Sequence, residues 1–211
     1  VFDWPLFGLR IRTERLELRM PTDPDLFELV RVAREGVHDP GEMPFLEPWT
    51  ETPSPDFEHG FLQYHWSTRA SWRPEGWRLE LAVAAEGRLA GAQAISADGF
   101  AEHRAISTGS WLGIGFHGRG YGKEMRSAVL AFAFDYLGAD WVSSAAFADN
   151  GASIAISRAL GYEEVGIEHV APQGEPREAI SFLMTRDLWR ARERPQIEVE
   201  GFEECRVFFG A

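Results

Sequence analysis

Apolar and charged residues alternate from Leu9 to Met20. Leu9, Ile11, Leu16 and Leu18 fall between arginines and glutamates, the period-two signature of a half-buried strand. Pro21-Thr22-Asp23-Pro24 interrupts it, and the period then becomes helical, with Leu26, Phe27, Leu29, Val30 and Val32 or Ala33 forming a stripe that stops at Gly36. Asp23 suits the N-cap of this helix, with Pro24 at its first position. From Val37 to Pro55 no period survives, because six prolines and glycines (Pro40, Gly41, Pro44, Pro48, Pro53 and Pro55) exclude a regular element. This stretch predicts a long loop that carries Phe45, Leu46 and Trp49 and the acids Asp39, Glu42, Glu47 and Glu51, with no lysine or arginine. Loops of this length inside a domain are typically lids or binding loops.

Asp56 to Ser71 predicts a second helix with Phe57, Phe61, Leu62, Tyr64 and His65 inward. Trp77–Ala85 and Leu89–Ala97 read as strands joined by a hairpin turn at Glu86-Gly87-Arg88, followed by a polar loop from Asp98 to Arg104. Ile106 to Phe116 predicts a strand that ends in glycines at the mouth of a helix. That helix runs from Gly122 to Leu137, buries Met125, Val129, Leu130, Phe132 and Ala133 or Phe134, and closes at Gly138. Trp141–Phe147 lacks polar alternation and reads as a strand buried on both faces. After a turn at Ala148-Asp149-Asn150-Gly151 come a short helix, Ala152–Leu160, two strands, Tyr162–Val170 and Glu178–Thr185, and a helical stretch, Arg186–Arg194. This order predicts a single α+β domain over residues 1–195, with a mixed, mostly antiparallel sheet flanked by helices. The apolar tail, 196–211, gathers Phe202, Val207, Phe208 and Phe209 and is expected to pack on the body or on a partner subunit, which makes a homodimer plausible.

Composition narrows the function. The formal net charge of −12 argues against nucleic acid as a partner, since phosphate binding needs a basic surface. A single cysteine, Cys205, excludes an internal disulfide and a metal cluster built on thiolates and suits a reducing compartment. The first residues show no basic n-region followed by an apolar h-region, and no apolar run is long enough to span a bilayer. A cytoplasmic protein without a membrane partner is therefore expected. The basic residues are almost all arginine, with Lys123 the one lysine, a bias that reads as codon usage.

The chemistry concentrates in His117-Gly118-Arg119-Gly120-Tyr121-Gly122-Lys123. Backbone N–H groups gathered at a helix N-terminus suit an anion such as a phosphate, and glycines let the backbone come close. In this order of elements the loop resembles the pyrophosphate loop of the GCN5-related N-acetyltransferase (GNAT) superfamily. Leu9–Arg19 is similar to the first strand of its RimJ/RimL-like ribosomal-protein acetyltransferase branch. Asn150-Gly151-Ala152-Ser153 and Leu160-Gly161-Tyr162 resemble that branch's Asn-x-x-Ser and Leu-Gly-Phe/Tyr elements. The resemblance spans roughly Leu9 to Trp189.

It implies acyl transfer from acyl-CoA to an amine, without a metal or a covalent acyl-enzyme, and a splayed central strand pair that takes the pantetheine arm. Leu112 and Ile114 would then pair with pantetheine amides through free backbone groups. The amides of Gly118, Arg119, Gly120, Tyr121, Gly122 and Lys123 would hold the pyrophosphate, with Arg119 adding charge. Asn150 would bond the pantetheine arm, where it otherwise forms the turn after the strand, and Ser153 would bond the departing thiolate, where it otherwise caps the helix. His117 stands where the superfamily has Gln or Arg, and either donates a hydrogen bond or faces solvent. Ser107-Thr108-Gly109-Ser110 occupies the region where many members place a carboxylate, which leaves His38, Asp39 and Glu42 of the long loop as candidate bases. The expected donor is acetyl-CoA or another acyl-CoA, with succinyl-CoA open. The expected acceptor is a protein N-terminus, a lysine side chain or a small amine. The rival reading is a non-catalytic acyl-CoA-binding regulatory module.

Overall fold

The computed structural model describes residues 4–211. The first alternating stretch forms two strands rather than one. β1 (Arg10–Arg12) and β2 (Leu16–Arg19) pair antiparallel with Ile11 opposite Leu18, closed by Thr13 N–H donating to the Leu16 carbonyl at 2.9 Å. The period survives the turn because opposed residues share a face. α1 (Asp23–Arg34) is capped by Thr22, one residue ahead of the expected Asp23. The Asp25 carboxylate accepts from Thr22 N–H at 2.7 Å and Thr22 Oγ1 from Asp25 N–H at 3.4 Å, a reciprocal capping box. Burial pushes the Asp25 carboxyl up, but hydrogen bonds from Arg19 and Thr22 outweigh it and hold its pKa at about 2.

After α2 (Asp56–Ala70) come β3 (Gly76–Ala85) and β4 (Arg88–Asp98). The expected polar loop at 98–104 contains a one-turn helix, α3 (Phe100–His103), anchored by fully buried Phe100. β5 (Ala105–Leu112) stops short of the expected end at Phe116; Ile114–Phe116 is a 3-10 turn. α4 (Tyr121–Ala131) continues through a π-helical turn, Phe132–Leu137, to Gly138. The chain completes with β6 (Trp141–Phe147), α5 (Gly151–Ala159), β7 (Glu163–Val170), β8 (Arg177–Thr185), α6 (Arg186–Arg190), β9 (Glu198–Glu200) and α7 (Phe202–Cys205).

The nine strands form one sheet in the order β7-β8-β6-β5-β4-β3-β2-β1-β9, antiparallel throughout except for β5 beside β6. That parallel pair is in register only at Ala105–Trp141, Ile106–Val142 and Ser107–Ser143. Beyond it β5 stays on β4 as far as Leu112 opposite Gly91, while β6 stays on β8 as far as Phe147 opposite Ala179. The two strands therefore part, leaving 108–112 and 144–147 as facing backbone edges.

The faces of the sheet bury separate cores. Leu79, Leu81 and Val83 alternate onto the α4 face with Ile11, Leu18, Ile106 and Val142, against Met125, Val129 and Phe132. On the other face Leu26, Leu29, Phe57 and Phe61 of α1 and α2 pack on Ala82, Leu89 and Trp111. β6 departs from the expectation of burial on both faces: Val142, Ser144 and Ala146 are buried, whereas Trp141 and Ala145 are exposed. α1 and α2 pack over β3, β4 and Trp111, and that face of β6 stays open. The tail lies on its own chain: β9 pairs with β1, Phe202 and Phe209 enter the α4-side core, and the Trp72 and Trp77 indoles donate to the Phe208 and Phe209 carbonyls. Among the described residues no helix is long and apolar enough to cross a membrane.

Candidate functional site

Past β5 the chain turns through two glycines with left-handed backbone, Gly118 (φ +71°) and Gly120 (φ +82°), and enters α4. A side chain at either position would meet the steric penalty that glycine avoids. Gly120 is the N-cap and supplies no side-chain acceptor, so Tyr121, Gly122 and Lys123 carry first-turn amides without a helical partner. Glu124 is the first to bond back, to the Gly120 carbonyl at 3.1 Å. The loop is clamped from the turn that joins β1 to β2. Arg15 Nε donates to Glu124 (2.7 Å), Arg15 Nη1 to the Arg119 carbonyl (3.0 Å), and Thr13 Oγ1 to Glu124 (2.5 Å). Tyr121 buries its ring and donates its hydroxyl to Glu86, so it offers a ligand only its backbone. The Arg119 and Lys123 side chains are exposed beside the loop.

His117 Nε2 lies 2.9 Å from the Leu112 carbonyl; a carbonyl only accepts, so Nε2 carries the proton and the ring closes the turn. Ile114 N–H donates to the Gly36 carbonyl (2.9 Å) and its own carbonyl accepts from His117 N–H (3.1 Å). The backbone of Ile114 is thus spent on the turn, and the free edge along the gap ends at Leu112.

Arg126, on the second turn of α4, lies on the α4 side of the gap and is buried, 5% exposed. Its Nη1 donates to Ser157 Oγ (3.0 Å), and its Nη2 stands 3.4 Å from both Ser110 Oγ on β5 and Ser153 Oγ on α5. Its Nε meets no partner among the described residues. Burial without an acid pulls the guanidinium pKa down. The Tyr162 hydroxyl, buried nearby, also lacks a well-aligned partner, and burial pushes it up to about 12. Asn150 caps α5 through Oδ1, which accepts from Ser153 N–H at 3.1 Å, and this leaves Ser153 Oγ free of any capping duty.

On the opposite face the 37–55 loop crosses toward the gap. Phe45 packs on Trp49, and Trp49 on Trp111 of β5. Arg177, on β8, donates to the Met43 carbonyl (2.6 Å), pairs with Asp149 (2.7 Å), and lies 3.6 Å over the Phe147 ring. The side chains of His38 and Asp39, two of the candidate bases, do not pair with each other. The His38 ring bonds the Asp39 carbonyl rather than its carboxylate (3.1 Å), and its other nitrogen faces Thr50 Oγ1 (2.8 Å).

The carboxylate absent from β5 has a counterpart on β3. Glu80, 8% exposed, stands in register with Ala94 and Gly109, and accepts from Tyr64 OH (2.5 Å) and Arg78 Nε (2.6 Å). Burial and the Glu80 charge raise the Tyr64 pKa and keep that hydroxyl protonated. A cleft of about 620 Å³ continues along this face, lined by Arg78, Ser96, Asp98, Ser107 and Trp141.

Sequence reasoning missed Arg126 and Glu80. Arg126 had a signal: a charge inside the apolar stripe of Met125, Val129 and Leu130. Glu80 had none, since alternation with Leu79 and Leu81 makes it look like a solvent-facing strand residue.

The residues present fit an acyl-CoA. Unpartnered amides stand at the helix entry, two parted strand edges follow, and buried polar atoms of Arg126 and Tyr162 border the gap. The description of the GNAT acetyltransferase domain matches residues 15–163. Among solved structures, a GCN5-related N-acetyltransferase from Brucella melitensis superposes with a TM-score of 0.69 at 21% identity, covering 86% of this chain and 80% of its own. RimL, a ribosomal L7/L12 α-N-protein acetyltransferase in complex with coenzyme A, gives 0.63 at 15%, covering 83% and 97%. A chimera of the spermidine N-acetyltransferase SpeG from Vibrio cholerae gives 0.65 at 14%, covering 85% and 100%. The chain belongs to the GNAT acetyltransferase family of acyl-CoA-dependent N-acyltransferases.

Proposed function

We propose that the protein moves a short acyl group from acyl-CoA to a primary amine by direct attack, with the donor lying between β5 and β6. The observation that carries this reading is the three-residue parallel pairing of β5 and β6 followed by their separation beside the glycine turn. In a sheet, strands that stop pairing leave N–H and C=O groups that require partners, and the amides of a pantetheine arm supply them. The first-turn amides of α4 would take the pyrophosphate, aided by the helix dipole and by Arg119. The Asn150 carboxamide keeps its N–H groups available for the arm while its oxygen caps α5.

The amine would approach from the face that carries Trp111, Glu80 and the open side of β6. Protonated amines are cations, and the loop acids Asp39, Glu42, Glu47 and Glu51 bring an acidic field to that approach without any lysine or arginine within the loop. With His38 engaged by Thr50, Glu80 becomes the carboxylate on this face best placed to accept the proton through water. Acetyl-CoA is the donor expected by default, and succinyl-CoA is the alternative. Peptide N-termini, lysine side chains and small amines remain the acceptor classes, as a homodimer remains a proposal for the assembly.

Free-thiol release from acetyl-, propionyl- and succinyl-CoA, measured against a panel of peptide and polyamine acceptors, tests the reading. Amine-dependent release from at least one donor is expected. Tight acyl-CoA binding without turnover on any acceptor would instead favour a regulatory acyl-CoA-binding module, and no binding would end the proposal.

A further inference from the structure

We propose that Arg126 is the cationic donor that receives the sulfur leaving the acyl-CoA. This rests on the acyl-CoA reading above and gives the departing group a partner. The guanidinium reaches a hydroxyl on one wall of the gap, Ser110 of β5, and one on the helix that follows the other wall, Ser153 of α5, each at 3.4 Å. It is 5% exposed, its Nε is unpartnered, and no carboxylate pairs with it among the described residues. Its hydrogen-bonding neighbours Ser110, Ser153 and Ser157 are neutral; they solvate the guanidinium without cancelling its charge.

Burying an unpaired cation is costly, and the cost is offset where an anion arrives. The pyrophosphate amides, Tyr121 to Lys123, sit at the entry of α4, a turn away from Arg126. An acyl thioester with an uncharged chain bears no ground-state charge beside the acyl carbon. The charge that develops as its C–S bond breaks falls on sulfur, and a preorganised donor in a dry site acts most strongly on charge of that kind.

In the step itself the amine lone pair forms a C–N bond to the thioester carbon. The C–S bond then breaks with its electron pair on sulfur, which accepts hydrogen bonds from Arg126 Nη2 and Ser153 Oγ. The surplus proton on the new amide nitrogen passes to a base or to water, and the thiolate takes up a proton from solvent on release. Mass and charge balance without a further reactant. Ser157, which accepts from Arg126 Nη1 and donates to the Ser153 carbonyl (3.1 Å), positions the guanidinium.

The test is the thiol pKa of CoA bound to the protein, read from thiolate absorbance in the ultraviolet across pH. The protein's own thiol does not interfere, since burial pushes Cys205 up to about 12. In the wild-type complex the CoA thiol is expected to titrate about one to three units below free CoA, the size of shift an adjacent opposite charge produces. Arg126→Gln is expected to abolish that shift and Arg126→Lys to retain part of it. Acetyl transfer by Arg126→Gln should fall about 100- to 1,000-fold in kcat, with KM for acetyl-CoA little changed. A wild-type complex whose thiol titrates like free CoA overturns the proposal, and that measurement requires no variant to fold. So does an Arg126→Gln protein that loses succinyl transfer while acetyl transfer stays intact, because the guanidinium would then serve the acyl carboxylate. Failure of CoA to bind at all would remove the acyl-CoA reading and the proposal together.

Discussion

Two residues show how local environment sets behaviour here. His65, on α2, is 3% exposed and packs its ring 4.8 Å from Phe61; burial lowers its pKa to about 4. The folded protein keeps it neutral where the unfolded chain, at about 6.5, already takes a proton. The unfolded state therefore binds more protons between those values, and stability falls as pH drops from about 6.5 to about 4. The loss is about 3 kcal/mol for this one group at full expression. Urea midpoints of wild type and His65→Phe at pH 7 and pH 4.5 check this: the variant should lose much less stability on acidification. Gly120 works through its backbone. Gly120→Ala places a side chain at φ +82°, and about 1–2 kcal/mol of strain is expected together with weakened acyl-CoA affinity. Thermal melts and calorimetric titration of the same variant read the two effects separately. An Ala at position 120 that leaves CoA affinity untouched would remove this turn from the donor site.

At the scale of elements, the long proline-rich loop is pinned at one side by Arg177 and at the other by the stack of Phe45, Trp49 and Trp111. Arg177→Ala removes the donor to Met43 and the partner of Asp149. Amide hydrogen exchange over 40–48 should accelerate, and KM for the amine should rise while acyl-CoA affinity stays near wild type. Unchanged exchange in that segment would show that the tether does not hold the loop. This loop also marks how far the sequence could be read. Its prolines and acids were visible along the chain, but the tether pairs Met43 with Arg177, residues 134 positions apart, and no local pattern encodes such a contact. The glycine turn and the turn at Asn150 were legible because each needs particular residues at short spacing. Ile114 reads as strand in the sequence because its apolar neighbours continue the period after β5 has ended, while in the structure its amide turns to Gly36. The opening of β6 toward solvent was hidden for a related reason: Trp141 and Ala145 look like core residues wherever they point.

Across the molecule, the sheet binds its two ends into one body. The aromatic tail, a candidate for a subunit contact when read as sequence, buries Phe202, Cys205 and Phe209 within its own chain. Deleting residues 196–211 should therefore lower the melting temperature by several degrees, since each buried aromatic contributes about 2–3 kcal/mol. A truncated protein that melts with the full chain would contradict that packing. The central claim is that acyl-CoA lies where β5 and β6 part and its pyrophosphate meets the entry of α4. Hydrogen–deuterium exchange with and without acetyl-CoA tests it most directly. The account predicts added protection concentrated in segments 108–123 and 144–153, with little change in β1, β2 and β9. Protection absent from both segments, or gathered on another part of the sheet, would contradict it.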